Sequence, residues 1–370
     1  MEIPDFKLER YFAKYEFSAK YLLSSSDCDG FGMEEILAQA AEEELTLWKG
    51  LELGYTESEG HPLLKESIAG LYENIHPDQV LVSSPGEANF ILMNTLLKRG
   101  DHVICMRPTY QSLYQVVKSL GVELSYWEAD PQNWFYDPDD LSKLIKSNTK
   151  LIIVNFPHNP TGAFPSPEEW NRIIEIARKQ GAYLYSDEMY RLLTYPATLE
   201  ISAVCDIYEK GISLWGMAKS FGMAGLRIGW LASQDQEILK KVLFFKDYLS
   251  ICNSAPSEIL SLIGLRHKEY FLGINLKKIE KNITYFRAFQ HKHAELISFV
   301  SPKAGSIAFA QLHIKESSMD FSEKLVQKVG IMALPAEMFE FGDKHIRVGF
   351  GRRNFPEILE ELDKYISSNY

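Results

Sequence analysis

The sequence has little that would build a disulfide framework, a metal centre, a membrane span or a nucleic-acid surface. Its four cysteines, at positions 28, 105, 205 and 252, form no Cys-X-X-Cys pair, so we expect neither disulfides nor a structural metal. No apolar run reaches the roughly 18 residues that cross a bilayer. The 50 acidic against 39 basic residues argue against nucleic-acid binding, which needs a basic face. The first residues contain no apolar signal segment, which predicts a cytoplasmic protein.

What is present is a recurring pattern in which a helical stretch, a glycine and a short β-rich run follow one another. Glycine after a helix end accepts a left-handed conformation at low cost. Short apolar strands alternating with longer helices predict an α/β fold with a mostly parallel sheet. The run Leu-Ile-Ile-Val at 151–154 is apolar throughout, as in a strand buried on both faces. The pattern is seen at Gly100 before 102–106, at Gly121 before 122–126 and at Gly181 before 182–186.

The 370 residues are enough for two domains of about 150 residues or more. The regular pattern predicts a large three-layer α/β/α domain over 45–270. It weakens at both ends, where 33–47 and 276–293 are helical and short strands are predicted at 306–312 and 345–350. We therefore predict a smaller α+β domain built from 1–44 and 271–370.

One lysine stands among small and apolar residues in the segment Gly-Met-Ala-Lys-Ser-Phe-Gly-Met-Ala-Gly-Leu-Arg-Ile-Gly at 216–229. An apolar pocket disfavours an ammonium group, so Lys219 there would have a lowered pKa and a nucleophilic amine. The guanidinium of Arg227 suits a phosphate. Taken alone, the segment is equally compatible with a surface lysine on a glycine-rich loop.

This segment resembles the pyridoxal-phosphate attachment signature of the class I/II aminotransferases, which are fold type I pyridoxal-phosphate enzymes. The resemblance implies that Lys219 forms a Schiff base with pyridoxal 5′-phosphate and that Arg227 binds the phosphate of this cofactor. It extends from about residue 55 to residue 347 and is strongest between 150 and 230.

Two further motifs follow predicted strands, where open α/β sheets place their ligands. Asn-Pro-Thr-Gly at 159–162 is by itself a turn signal; the resemblance assigns Asn159 to the 3′-oxygen of the cofactor and to the substrate pocket. It assigns Asp187 to the pyridine nitrogen, where a carboxylate keeps the ring cationic, and Tyr190 to the 3′-oxygen. Adjacent strand residues point to opposite faces, so we expect Glu188 to be structural.

A turn at 83–86 precedes a predicted helix over 87–97, and a helix N-terminus offers amides to an anion. Pro85 has no N–H, so the resemblance places the cofactor phosphate on the amides of Gly86 and Glu87. Pro-Thr-Tyr at 108–110 resembles the family segment whose aromatic ring stacks on the cofactor. Tyr110 is therefore the candidate, although an aromatic there could equally belong to the core.

The resemblance assigns two further residues, one to the active site of the partner subunit and one to the substrate. Gly54-Tyr55 resembles the segment in which a tyrosine reaches the phosphate of the neighbouring subunit, which implies a homodimer with a shared active site. The strand at 345–350 resembles the one whose arginine binds the substrate α-carboxylate. Arg347 is preferred to Arg352 and Arg353 because it alternates with apolar neighbours, and a bidentate guanidinium fixes orientation as well as charge.

The sequence departs from the family pattern at three places. Gly216 and Ala218 stand where many relatives carry hydroxyls, so phosphate binding would depend more on Arg227, amides and Tyr55. The loop at 24–30 differs from the usual entry loop, which leaves the substrate side chain open. We find no candidate for the second arginine that would mark an aspartate- or glutamate-type enzyme.

The leading hypothesis is an aminotransferase that moves an amino group between an L-amino acid and a 2-oxo acid. The alternative is a carbon–sulfur β-lyase or an amino-acid cyclase or eliminase on the same scaffold, because His158-Asn159-Pro160 also occurs in β-lyases. A third hypothesis is a non-catalytic regulator. Regulators with this domain carry an added DNA-binding module, for which the chain has no spare stretch of about 60 residues.

Overall fold

The structure, a computed structural model, describes residues 2–370. The strands are β1 (Tyr21–Leu22), β2 (Val80–Ser83), β3 (His102–Arg107), β4 (Glu123–Glu128), β5 (Thr149–Asn155), β6 (Tyr183–Asp187), β7 (Gly211–Gly216), β8 (Gly229–Ala232), β9 (Ile297–Ser298), β10 (Ile307–Leu312), β11 (Ile331–Met332), β12 (Leu334–Pro335) and β13 (His345–Gly349).

The α-helices are α1 (Lys7–Tyr15), α2 (Met33–Leu37), α3 (Glu42–Lys49), α4 (Pro62–Ala69), α5 (Pro85–Leu96), α6 (Gln111–Ser119), α7 (Pro138–Leu144), α8 (Pro167–Gln180), α9 (Val204–Ile207), α10 (Gln236–Lys246), α11 (Ala255–Arg266), α12 (Lys268–Lys292), α13 (Ser318–Val329) and α14 (Phe355–Asn369). Short 3-10 turns lie at Pro77–Gln79, Ala224–Leu226 and Ala336–Phe339.

A seven-stranded sheet in the order β2-β8-β7-β6-β5-β3-β4 forms the centre of the fold. Strands β3 to β7 pair in parallel, and β8 alone runs antiparallel to both of its neighbours. The predicted mostly parallel sheet is therefore confirmed.

Helices cover both faces of this sheet. Alternate residues of β5 enter two different cores: Leu151 and Ile153 join one, and Ile152 and Val154 join the other. Helices α5, α6, α10 and α11 pack on the first face, whereas α8 and α1 pack on the second. The run at 151–154 is thus apolar at every position because both faces are buried, and the predicted α/β/α layering is confirmed.

A smaller antiparallel sheet, in the order β12-β13-β10-β9, holds the C-terminal strands. The N-terminal segment joins this region, because β1 pairs in parallel with β11. The predicted domain boundaries at 44/45 and 270/271 lie inside α3 and α12. The division into two domains stays a prediction.

The helical stretch expected over 33–47 is two helices, α2 and α3, with a break at 38–41. No proline or glycine causes this break. Instead, the side chain of Glu44 is buried and accepts hydrogen bonds from Arg266 and His267 at the end of α11. Its other contact is the N–H of Ala41, which begins the second helix. A tertiary contact has overridden local helix preference.

Among residues 2–370, no helix is both long and apolar enough to cross a membrane.

Candidate active site

One cavity of about 520 Å³ lies beyond the carboxyl ends of the central parallel strands. Asn155 ends β5 and Asp187 ends β6, and both line it. A volume of this size is ordinary for a small-molecule site, and its position is where open α/β sheets bind ligands. The predicted site residues that line it are Gly86, Tyr110, Asn159, Asp187, Tyr190, Lys219, Arg227 and Arg347.

Lys219 presents a partly buried amine to this cavity. Its Nζ donates to Ser26 Oγ at 2.9 Å, and within the part of the chain described it forms no ion pair closer than 4.0 Å. Burial lowers the pKa of Lys219, and this effect outweighs the opposite influence of the carboxylates of Asp27 and Glu9. A lowered pKa increases the fraction of neutral, nucleophilic amine at physiological pH.

Asp187 is a buried carboxyl group without a basic partner in hydrogen-bonding range. Its Oδ1 accepts the N–H of Met189 at 3.2 Å. Burial is the main cause that raises the pKa of Asp187 to about 7. A cation placed against this side chain would lower that pKa and stabilise the carboxylate. The site is thus suited to a protonated ring nitrogen.

Glu188 lies on the opposite side of the strand end, as its neighbour position predicts. Its carboxylate accepts from Ser213 Oγ at 2.8 Å and from the N–H of Val204 at 3.3 Å. It also lies 3.4 Å from Arg191. These contacts hold the β6–β7 region together, and the side chain does not line the cavity.

The loop after β5 is held by Asn155. Its Oδ1 accepts the N–H of Asn159 at 2.7 Å, and its Nδ2 donates to the carbonyl of Asp187 at 2.7 Å. Asn155 therefore fixes both Asn159 and Asp187, which are predicted cofactor residues. It is a positioning residue that also lines the cavity.

His158 faces away from the cavity. Its ring lies between Tyr136 Oη at 3.0 Å and Thr161 Oγ1 at 2.7 Å. Burial lowers its pKa to about 3, so the ring is neutral at physiological pH. The His-Asn-Pro sequence that is shared with β-lyases serves here to shape the loop.

Arg347, on β13, is 1% exposed. Its Nε and Nη2 donate to the carbonyl of Ser24 at 3.0 and 2.8 Å, and its Nη1 donates to Asn159 Oδ1 at 3.1 Å. No carboxylate of the described chain lies within 4.0 Å of its guanidinium. A buried charge that has only neutral partners is costly, so the geometry favours an anionic ligand at this position.

The N-terminus of α5 has free amides at the cavity, which Pro85 and Gly86 line and Glu87 does not. Helix α5 begins at Pro85, and Ser84 provides no side-chain cap. The first internal helix bond is made by Ala88, so the amides of Gly86 and Glu87 have no backbone acceptor among residues 2–370. The carboxylate of Glu87 accepts hydrogen bonds from the hydroxyl groups of Ser83 and Ser250.

The absence of a hydroxyl at position 216 follows from packing. A Cβ on Gly216 would lie 2.8 Å from Gly229 Cα, and a Cβ on Gly229 would lie 2.7 Å from Pro85 Cγ. The two glycines thus let β7, β8 and the start of α5 approach one another at this end of the cavity.

The two tyrosines of the site differ in their partners. Tyr190 Oη is buried and makes no well-formed hydrogen bond within residues 2–370, so it is available to a ligand oxygen. Tyr110 also lines the cavity, but its hydroxyl donates to Glu9 Oε1 at 2.8 Å. Tyr55 does not line the cavity and is 89% exposed.

Sequence reasoning missed one wall of the cavity, which the N-terminal segment builds. Glu9, Phe12 and Glu16 have the 3- and 4-residue spacing of one helix face, which is the only sequence signal that could have found them. The N-terminal residues that line the cavity are Leu8, Glu9, Phe12, Glu16, Ser25, Ser26 and Asp27.

Comparison with known proteins agrees with this geometry. Residues 18–361 match the family described as aminotransferase class I and II. A solved PLP-dependent aminotransferase from Streptococcus suis has a TM-score of 0.93 and 30% identity, covering 100% of this chain and 99% of that chain.

Two curated relatives are more distant. An aspartate aminotransferase from Sulfurisphaera tokodaii is 28% identical over 80% of this chain and 78% of its own. Capreomycidine synthase from Streptomyces vinaceus is 26% identical over 77% of this chain and 75% of its own.

The fold and the site define a fold type I α/β transferase. The chain belongs to the aminotransferase class I and II family.

Proposed function

We propose that the protein is a pyridoxal-phosphate-dependent aminotransferase that moves an amino group between an L-amino acid and a 2-oxo acid. One observation supports this above all: a partly buried amine, a buried carboxyl group and a buried guanidinium without a carboxylate partner line the same cavity. These are Lys219, Asp187 and Arg347.

The side chains fit the cofactor that the family resemblance implies. When bound, pyridoxal 5′-phosphate supplies an aldehyde carbon for imine formation and a cationic ring that withdraws electrons. Asp187 would hold the proton on the ring nitrogen, and Tyr190 and Asn159 would donate hydrogen bonds to the 3′-oxygen. Arg227 and the amides of Gly86 and Glu87 would hold the phosphate. Tyr110 would pack against the ring.

The substrate is held and deprotonated by two side chains. Arg347 binds the α-carboxylate and so fixes the position of the α-carbon. The neutral amine of Lys219 removes the α-proton as a general base, and its ammonium form later returns a proton. Burial, which lowers the pKa of Lys219, makes the neutral form available.

Incubation of the holoenzyme with single amino acids in the absence of a 2-oxo acid tests transfer against elimination or cyclisation. We expect one equivalent of oxo acid per site, after which the reaction stops until 2-oxoglutarate or another acceptor is added. Oxo-acid yield, ammonia release and the cofactor absorbance are measured together. Continued turnover with ammonia release, or a cyclic amino acid as product, would instead support the alternative reaction.

We also propose a homodimer with a shared active site. Loops at 51–58 and 247–253 meet where Thr56 Oγ1 donates to the carbonyl of Asn253 at 3.4 Å. They present a group of exposed apolar side chains, which is typical of a protein interface. These side chains are Leu53, Tyr55, Tyr248, Leu249 and Ile251. Ser250 in the second loop contacts Glu87, at the predicted phosphate end of the cavity.

Replacing Tyr55 by phenylalanine is expected to raise the dissociation constant for the cofactor by about tenfold while the dimer persists, because a hydrogen bond to a charged phosphate is lost across the interface. Cofactor titration and sedimentation equilibrium measure the two properties. Tyr285→Phe, a half-exposed tyrosine on α12, is the control. A monomer with full cofactor affinity would contradict the shared site.

The cytoplasm is our proposed location. It is supported by four free cysteines, of which three are buried.

A further inference from the structure

The wall that the N-terminal segment adds to the cavity is acidic. Glu9 and Glu16 extend from one face of α1 and its C-cap, and Asp27 follows β1. Phe12 lies between the two glutamates on the same face and also lines the cavity. The wall therefore combines an apolar surface with three carboxylates.

The proposed function assigns a role to every basic side chain of the cavity. These side chains are Lys219, Arg227 and Arg347. The first would bind the cofactor aldehyde, the second the cofactor phosphate and the third the substrate α-carboxylate. The fourth acid of the cavity, Asp187, pairs with the ring nitrogen. With cofactor and carboxylate bound, the N-terminal wall carries the remaining charge, and that charge is negative.

The local partners of the wall offset the charge of Asp27 but not the charges of the two glutamates. Asp27 lies 3.0 Å from Nη2 of Arg352, and the neighbouring Asp29 has a second cation in Lys278 at 3.3 Å. Glu9 accepts only the neutral hydroxyl of Tyr110. The Glu16 carboxylate has neither an ion pair nor a hydrogen bond to any group of residues 2–370. Burial and the charge of Asp27 raise the pKa of Glu16, and the more distant charges of Arg352 and Lys219 offset this only in part.

An unpartnered hydroxyl on the same wall independently indicates a ligand. Ser25 is 1% exposed, lines the cavity, and its Oγ has no hydrogen-bond partner in the described chain. The proposed function gives it no role. Buried hydroxyls are normally paired. Ser25 follows Ser24, whose carbonyl accepts hydrogen bonds from Arg347.

We propose that the amino acid has a cationic side chain, an ammonium or guanidinium group, which lies against Glu16, Glu9 and Asp27 while its α-carboxylate lies on Arg347. This substrate class rests on the proposed function. Phe12 and Leu8 supply the apolar contact for the aliphatic part of the side chain, and Ser25 Oγ accepts from its polar end. The side-chain carboxylate of an aspartate- or glutamate-type substrate would be repelled by these like charges, which disfavours such substrates.

The test compares amino acids of one chain length on the wild-type holoenzyme: L-lysine, L-norleucine and L-2-aminoadipate, with L-arginine for the guanidinium form. Titration of the change in cofactor absorbance gives an apparent dissociation constant for each. We expect lysine or arginine to bind at least about tenfold more tightly than norleucine, and aminoadipate to bind more weakly than either. This comparison requires no variant.

Variants then test which carboxylate binds the cationic side chain of the substrate. Glu16→Gln is expected to reduce the ratio of lysine to norleucine affinity by about five- to tenfold, and Glu16→Lys is expected to shift preference towards aminoadipate. Glu168→Gln is the matched control, because it makes the same change in net charge on the exposed surface of α8. It should leave the ratio unaltered.

The failures of the two proposals are distinguishable. If norleucine or aminoadipate reacts and the cationic amino acids have no advantage, or if Glu16→Gln preserves the lysine preference, the substrate class is wrong and the proposed function stands. If no amino acid of any charge alters the absorbance of the cofactor-loaded protein, both are wrong.

Discussion

Replacing Lys219 by alanine is expected to reduce amino transfer by at least about a thousandfold, because the variant loses both its nucleophile and its general base. The imine that borohydride reduces should disappear with it. Of the lysines in the described chain, Lys219 is the one that lines the cavity. The cofactor can still bind through Asp187 and Arg227, so absorbance at the free-aldehyde wavelength, rather than loss of cofactor, is the expected signature.

Lys246 provides an internal comparison. It is fully buried, and burial lowers its pKa as it lowers that of Lys219. Its Nζ, however, donates to the carbonyls of Ser58 and Ile251 at 2.8 and 3.1 Å, so it has no free approach to an aldehyde. Peptide mapping after borohydride reduction should place the label on the peptide that contains Lys219. Lys210→Ala, at a partly exposed lysine that does not line the cavity, should retain activity. Turnover by Lys219→Ala would contradict the assignment.

The central part of the site could be predicted because its residues follow consecutive strands. The parallel order of β5, β6 and β7 brings Asn155, Asp187 and the segment before Lys219 to one edge of the sheet. Strand position alone accounts for this proximity. The alternation that separates Asp187 from Glu188 is equally local. The chemical assignments at these positions came from the family resemblance and remain proposals.

The N-terminal wall could not be predicted, since it depends on contacts between distant parts of the chain. Helix α1 is fixed by the Tyr11 hydroxyl, which donates to the carbonyl of Ala333 at 2.8 Å, and by Gln111, which accepts the N–H of Lys7 at 2.9 Å. Neither contact has a sequence signature. The two-helix form of 33–47 has the same origin, because Glu44 is held by the end of α11.

The departure at Gly216 shows how structure changes the meaning of a missing motif residue. By sequence it is the loss of a phosphate-binding hydroxyl. In the structure, a side chain there would collide with the backbone of Gly229. Closer packing of β7 and β8 takes the place of the hydroxyl, and the amides at the start of α5, Arg227 and Tyr55 stay the proposed phosphate ligands.

Replacing Arg347 by glutamine is expected to lower kcat/KM for the amino acid by about a hundredfold or more. Each hydrogen bond to a charged group contributes about 1.5–3 kcal/mol, and a bidentate contact with the α-carboxylate would lose two. The cofactor absorbance of the variant should be preserved, since Arg347 contacts Ser24 and Asn159 and is proposed to bind the substrate rather than the cofactor.

A comparison of each amino acid with its decarboxylated amine isolates this interaction. Wild-type protein should strongly prefer the amino acid, whereas Arg347→Gln should treat the two compounds more nearly alike, because only the carboxylate contact distinguishes them. Arg353→Gln, at an exposed arginine that does not line the cavity, should keep the wild-type ratio. If Arg347→Gln also keeps it, the carboxylate is bound elsewhere, and the buried guanidinium serves to hold Ser24 and Asn159 in place.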